Sequence, residues 1–112
     1  AKGDTLTVSL ALDYSGRSEI VQAVKNIIQS DVVIGDVDES FLQKYLYTND
    51  LPDPDLLIRT AGEFRVSNFL LWQIAYSEIY IAESCWPDFD AAAFKSALDS
   101  FAKRNRTFGS LK

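Results

Sequence analysis

The chain reads as an α/β unit, a mainly parallel sheet flanked by helices, and three observations predict it. Strand-like runs occur at 5–12, 55–59 and 78–82. Helical patterns separate them, giving the order β, α, α, β, α, β, α, and strands joined through helices pair in parallel by right-handed crossovers. With 112 residues, 47% hydrophobic and 24% charged, the chain is one small globular unit or part of a larger one. It contains no repeat, low-complexity stretch or Gly/Ser linker.

Residues 5–12 alternate and are rich in strand formers, which predicts a strand. A polar turn follows at 13–16. Ile20, Val21, Val24, Ile27 and Ile28 then recur at helical spacing and make one apolar stripe. Residues 30–38 are acidic and turn-like, and 39–47 predicts a short helix carrying Phe41, Leu42 and Tyr45. The stretch 49–54, with two prolines and three acids if Asp55 is included, is an exposed, rigid loop. Residues 55–59 form an apolar run that predicts a buried strand ending on Arg59. After a loop containing Gly62, Ser67 is an N-cap candidate for a helix over about 68–76. Residues 78–82 predict the next strand and 86–90 a turn. Asp90 caps a last helix over roughly 91–105, whose apolar face is Phe94, Leu98 and Phe101.

Composition removes several function classes. Eleven Lys and Arg against sixteen Asp and Glu leave a net charge of −5, which argues against broad nucleic-acid binding. With no His, imidazole bases and imidazole metal ligands are excluded from this chain. A lone Cys85 makes neither an internal disulfide nor a cysteine zinc site, so a reducing, intracellular compartment is the simpler expectation. No apolar run reaches the ~18 residues of a membrane span.

In parallel sheets ligands sit beyond the carboxyl ends of the strands. That rule points to 13–17, 59–67 and the region near 83–88. The second carries the most chemistry: Arg59 leaves a strand, Gly62 permits close approach, Arg65 follows, and Ser67 opens the predicted helix. Two guanidiniums, a hydroxyl and helix N-terminal amides suit a phosphate or diphosphate. The bland alternative pairs Arg59 with Glu63 and leaves Arg65 solvated. Tyr14-Ser15-Gly16-Arg17 is a second anion-facing turn or simply a turn. Glu78 offers one oxygen ligand for Mg²⁺, or it only caps and pairs locally. Asp50, Asp53 and Asp55 read as a solvated acidic loop, and Trp72 and Trp86 as core or interface.

These segments closely resemble the cis-prenyltransferase family of the undecaprenyl diphosphate synthase type. Residues 53–63 are similar to its Pro-Asp-Leu-Ile-Arg-Thr-Ser/Gly-Gly-Glu signature, and 65–73 continue it. Residues 75–80 resemble its Tyr-x-Glu-hydrophobic-Tyr element, 86–89 its Trp-Pro-Asp-Phe, and 11–17 its Asn-Tyr-Gly-Gly-Arg turn. The resemblance implies half of a cis-prenyltransferase fold and a magnesium-dependent prenyl transfer from an allylic diphosphate to isopentenyl diphosphate. It implies that Arg59, Arg65 and Ser67 hold the acceptor diphosphate, that Glu63 and Asn68 order the pocket, and that Glu78 helps bind Mg²⁺. It also implies a homodimer, with Phe69, Trp72 and the last strand at its interface.

The family's Asp-Gly-Asn-Gly-Arg-Trp motif, with its catalytic Asp, does not occur in these residues. The expectation is therefore that 1–112 is the carboxy-terminal part of one catalytic domain, partnered by the missing amino-terminal half and inactive alone. Phe64 stands where His is common, Ala61 where Ser or Gly is usual, and Thr107 where Arg is frequent in the Arg-rich ending at 104–109. Phe64 is compatible with an irregular short-chain enzyme of the lavandulyl type that joins two dimethylallyl diphosphates. A plant-like wording around 59–83 implies a plastid enzyme, and otherwise a cytoplasmic one. Two further readings stay open: a non-catalytic partner subunit of a heteromeric prenyltransferase, and a generic phosphate-binding module.

Overall fold

The structure is a computed structural model that describes residues 5–109. Helix α1 spans Gly16–Gln29, α2 spans Glu39–Gln43 and α3 spans Ala91–Ala102; strand β1 is Leu56–Arg59 and β2 is Glu78–Ile81. Single 3₁₀ turns lie at Ile34–Asp36 and Trp86–Asp88.

β1 and β2 pair in parallel, with Leu56 opposite Glu78 and Arg59 opposite Ile81, as the element order predicts. Three helices start on the caps that local chemistry favours. Ser15 accepts from the Ser18 amide, Asp38 from Phe41 and Asp90 from Ala93. α3 packs on β2, where Ala97 and Ala82 are buried. α1 packs on α2 and buries Ala23 and Ile27, and Leu46, just after α2, is buried too.

Four expectations change. Residues 5–12 form no strand: Leu6, Val8, Leu10 and Leu12 are all exposed. A strand exists only through its ladder, and among the described residues only β1 and β2 pair. The helix over 68–76 is replaced by a chain of turns, because Ser67, Asn68 and Leu70 have φ of 50°, 63° and 44°. Those angles belong to the left-handed region, so Ser67 is not an N-cap. α2 ends at Gln43 rather than 47, and α3 at Ala102 rather than 105. Within α1, Val21, Val24 and Ile28 of the predicted stripe are exposed; the buried line is Glu19, Ala23 and Ile27, each four residues from the last.

The described residues bury few large side chains, and their radius of gyration is 16.7 Å. A fully packed chain of this length reaches about 13 Å. No helix among them is long and apolar enough to cross a membrane.

Candidate functional site: the loops beyond β1

β1 delivers Arg59 to the carboxyl end of the ladder, and the loop beyond it is tied to the loop beyond β2. The Arg59 carbonyl accepts from the Ala82 amide at 2.7 Å, the Ala61 amide donates to Ser84 O at 2.7 Å, and Gly62 to Ala82 O at 2.8 Å. Ala61 and Gly62 both turn through the left-handed region, at φ of 63° and 64°. A Cβ on Gly62 would come within 3.1 Å of Glu83 Oε2. The backbone is thus set before any side chain is considered.

Downstream, Arg65 Nη2 pairs with Glu63 Oε2 at 2.8 Å, and both side chains are well exposed. Arg59 has no carboxylate partner among the described residues, and its Nε is buried without a hydrogen bond. A buried cationic donor left unmatched is costly, so it is a place where an anion is welcome. Ser67 and Phe64 are exposed.

Asn68 brings together the two segments that the sequence offered as candidates for anion binding. Its Nδ2 donates to Ser15 Oγ at 2.7 Å, its Oδ1 accepts from the Arg17 amide at 3.0 Å, and its carbonyl accepts from Gly16 at 2.7 Å. Arg17 also lacks an ion-pair partner among the described residues. The turn 15–17 and the loop at Asn68 are therefore held against each other by three hydrogen bonds.

Glu78 lies elsewhere. It opens β2 at the amino end of the ladder, about 10 Å from the level of Arg59 at ~3.3 Å per residue. Its Oε1 faces Arg104 Nη1 at 3.5 Å, and the same nitrogen donates to Ile79 O at 2.7 Å. Asp55 is bonded to Arg106 at 2.7 Å, while Asp50 and Asp53 are exposed. No group of three or more His, Cys, Asp or Glu side chains gathers among the described residues.

A cleft of about 740 Å³ adjoins the Asn68 junction. Leu10, Leu12, Tyr14, Tyr47, Leu51 and Phe69 give it apolar walls, and Ser15 lies on its lining; Arg59, Arg65 and Ser67 do not. Beneath it sits a feature the sequence reading missed. Glu19, 1% exposed, accepts from the Tyr14 hydroxyl, the Tyr47 amide at 2.7 Å and Gln73 Nε2 at 3.1 Å. Burial first, then the hydrogen bond to Glu19 and its charge, push the Tyr14 phenol well above the usual tyrosine range. The available signal was the line Glu19, Ala23, Ile27, which sets an acid on the buried side of α1.

A family profile described as "Putative undecaprenyl diphosphate synthase" matches residues 1–109. An "Isoprenyl transferase" of Fusobacterium nucleatum is 51% identical over 109 residues, covering 97% of this chain and 46% of that protein. One from Oceanobacillus iheyensis is 47% identical over 112 residues, covering 96% and 44%. Among solved structures, lavandulyl diphosphate synthase from Lavandula x intermedia, in complex with dimethylallyl diphosphate, superposes with a TM-score of 0.86. It is 42% identical, with 90% of this chain and 45% of that one covered. A "probable undecaprenyl diphosphate synthase" from Campylobacter jejuni gives 0.83 at 38% identity, covering 96% and 49%. The chain thus spans about half the length of the relatives it matches.

Proposed function

The chain belongs to the undecaprenyl diphosphate synthase family of prenyltransferases, and from that premise we propose that it supplies the acceptor-diphosphate side of a cis-prenyl diphosphate synthase. The reaction class is prenyl transfer between an allylic diphosphate and isopentenyl diphosphate. In this reading 1–112 is the carboxy-terminal part of the catalytic domain, and the Asp-Gly-Asn-Gly-Arg-Trp element, absent from these residues, completes the site.

The observation that carries the reading is the Asn68 junction, which fastens the loop bearing Arg65 and Ser67 to the turn bearing Ser15 and Arg17. Arg59 and Arg65 neutralise the acceptor diphosphate, and Ser67 donates its hydroxyl to a phosphate oxygen. Arg65 exchanges its exposed Glu63 partner for phosphate at small cost, since exposed pairs contribute little. Glu63 holds Arg65 ready until the phosphate replaces it, and Asn68 keeps the loop in place. Held in this way, the acceptor presents its alkene to the allylic carbon. The allylic C–O bond breaks, diphosphate departs, the alkene forms the new C–C bond, and a proton is lost to restore the double bond. The guanidinium field beside the acceptor contributes to stabilising that charge redistribution.

Magnesium enters through Glu78 alone among the expected ligands. The described residues do not by themselves make a magnesium site: the Glu78 carboxylate faces Arg104 and no acidic cluster surrounds it. A Glu78→Gln variant of the complete protein whose rate keeps the wild-type dependence on Mg²⁺ concentration would remove this residue from metal binding. We extend the reading to a homodimer using Phe69 and Trp72, which sedimentation of the complete protein at micromolar concentration tests.

A second reading, condensation of two dimethylallyl diphosphates, draws on Phe64, 82% exposed, and on the likeness to the lavandulyl enzyme. The deciding experiment incubates the complete protein with labelled isopentenyl and dimethylallyl diphosphates and Mg²⁺. A linear cis product supports the first reading and a branched C10 product the second. No product with either substrate pair overturns both.

A further inference from the structure

We propose that Glu19 is a positioning residue for the acceptor cradle, acting through Tyr14 on the loop that carries Asn68. The inference rests on the function proposed above and adds a residue that touches no substrate.

Both Glu19 carboxylate oxygens are engaged. Oε1 accepts from the Tyr14 hydroxyl and from Gln73 Nε2 at 3.2 Å; Oε2 accepts from the Tyr47 amide at 2.7 Å and Gln73 Nε2 at 3.1 Å. Gln73 Nε2 also reaches Thr48 Oγ1 at 3.0 Å. Among the described residues no cation pairs with Glu19. A buried carboxylate without a counter-charge is expensive, and its place at the first turn of α1 offsets only part of that. Its return is geometric: three segments distant in sequence, at 14–19, 47–48 and 73, are held around one anion.

Tyr14 passes this order to the cradle. Its ring meets Phe69 edge-on at 5.8 Å and Tyr47 at 6.3 Å. Phe69 follows Asn68, whose side chain grips Ser15 and Arg17. The turn 14–17 and the loop 67–69 are therefore fastened twice, by Asn68 on the exposed side and, on the inside, by the Tyr14–Phe69 ring contact that the bond to Glu19 holds in position. Releasing the inner fastening leaves the loop with one hold and a wider range of positions, which lowers affinity for the ligand it must meet.

The test uses the complete protein, wild type against Tyr14→Phe and Glu19→Gln, with the two substrates varied separately. Tyr14→Phe removes one hydroxyl and keeps the other donors to Glu19, so it decides the matter if Glu19→Gln does not fold. The expected result is a KM for isopentenyl diphosphate raised about fivefold to tenfold, the scale of one lost hydrogen bond. The KM for the allylic diphosphate and the kcat at saturation stay within about twofold, a split that general loss of folded protein does not produce. An unchanged acceptor KM in folded Tyr14→Phe, or a fall in kcat alone, overturns the inference while wild-type turnover keeps the proposed function standing. A wild type that forms no product overturns the function first and this inference with it.

Discussion

Asn68 and Ser15, far apart in sequence, are joined by a 2.7 Å hydrogen bond from Nδ2 to Oγ. Ser15 is also the N-cap of α1, accepting from the Ser18 amide at 3.3 Å. One hydroxyl oxygen thus starts a helix and anchors a loop, so the first turn of α1 and the loop carrying Asn68 share a fixed point.

Gly16→Ala tests how close that approach is. A Cβ there would lie 2.9 Å from Leu71 Cγ, 3.0 Å from Asn68 O and 3.2 Å from Leu71 N. Two of those atoms are backbone and give way only if the loop moves. A stability loss of about 1–3 kcal/mol in urea unfolding is expected. A loss under about 0.5 kcal/mol, within the range of an ordinary surface change, would show that the loop yields freely.

Ala61→Gly should act in the opposite sense. Ala61 turns at φ 63°, where a Cβ is crowded and glycine is not. Relief of that crowding outweighs the extra freedom of the unfolded chain, giving a gain of about 0.5–1 kcal/mol. Denaturant midpoints of the two proteins decide it, and a destabilised variant would refute the assignment of strain.

Arg65→Ala separates binding from folding. Its pair with Glu63 is exposed, so stability should change by less than about 0.5 kcal/mol. Loss of a charged hydrogen bond to phosphate should weaken the acceptor by at least about tenfold, or roughly 1.5 kcal/mol. Kinetics showing wild-type acceptor KM and rate would take Arg65 out of the site.

The Tyr14 phenol gives the protein an alkaline liability. Folded, it is held above the ordinary value of 10.0 by burial and by Glu19; unfolded, it ionises near that value. The stability it contributes is complete below about pH 10 and is lost as pH rises toward the folded value, because the unfolded chain gives up the proton first. Between about pH 9 and 11, urea unfolding of Tyr14→Phe should therefore lose stability with pH less steeply than wild type. Parallel pH profiles would deny that linkage.

Much of this was legible in the residue string. The apolar run ending on Arg59, the run opening on Glu78 and the cap Asp90 depend on neighbours within a few positions, so local chemistry specifies them. The long signature from 53 to 89 placed the chain in its family before any contact was seen. Residues 5–12 carry an equally good strand pattern, yet a strand needs a partner, and alternation alone does not supply one.

The tertiary structure alone decided what converges. That Asn68 reaches Ser15, that Glu19 is enclosed by Tyr14, Tyr47 and Gln73, and that Glu78 faces Arg104 at the far end of the ladder from Arg59 are contacts between residues 25 or more apart, apart from the local Tyr14–Glu19 bond. Such contacts arise from how helices and loops settle against one another, which no short window of sequence encodes. Three left-handed residues between 67 and 70 replaced a well-patterned helix for the same reason: hydrogen bonds between the 15–17 turn and Asn68 outweigh local propensity.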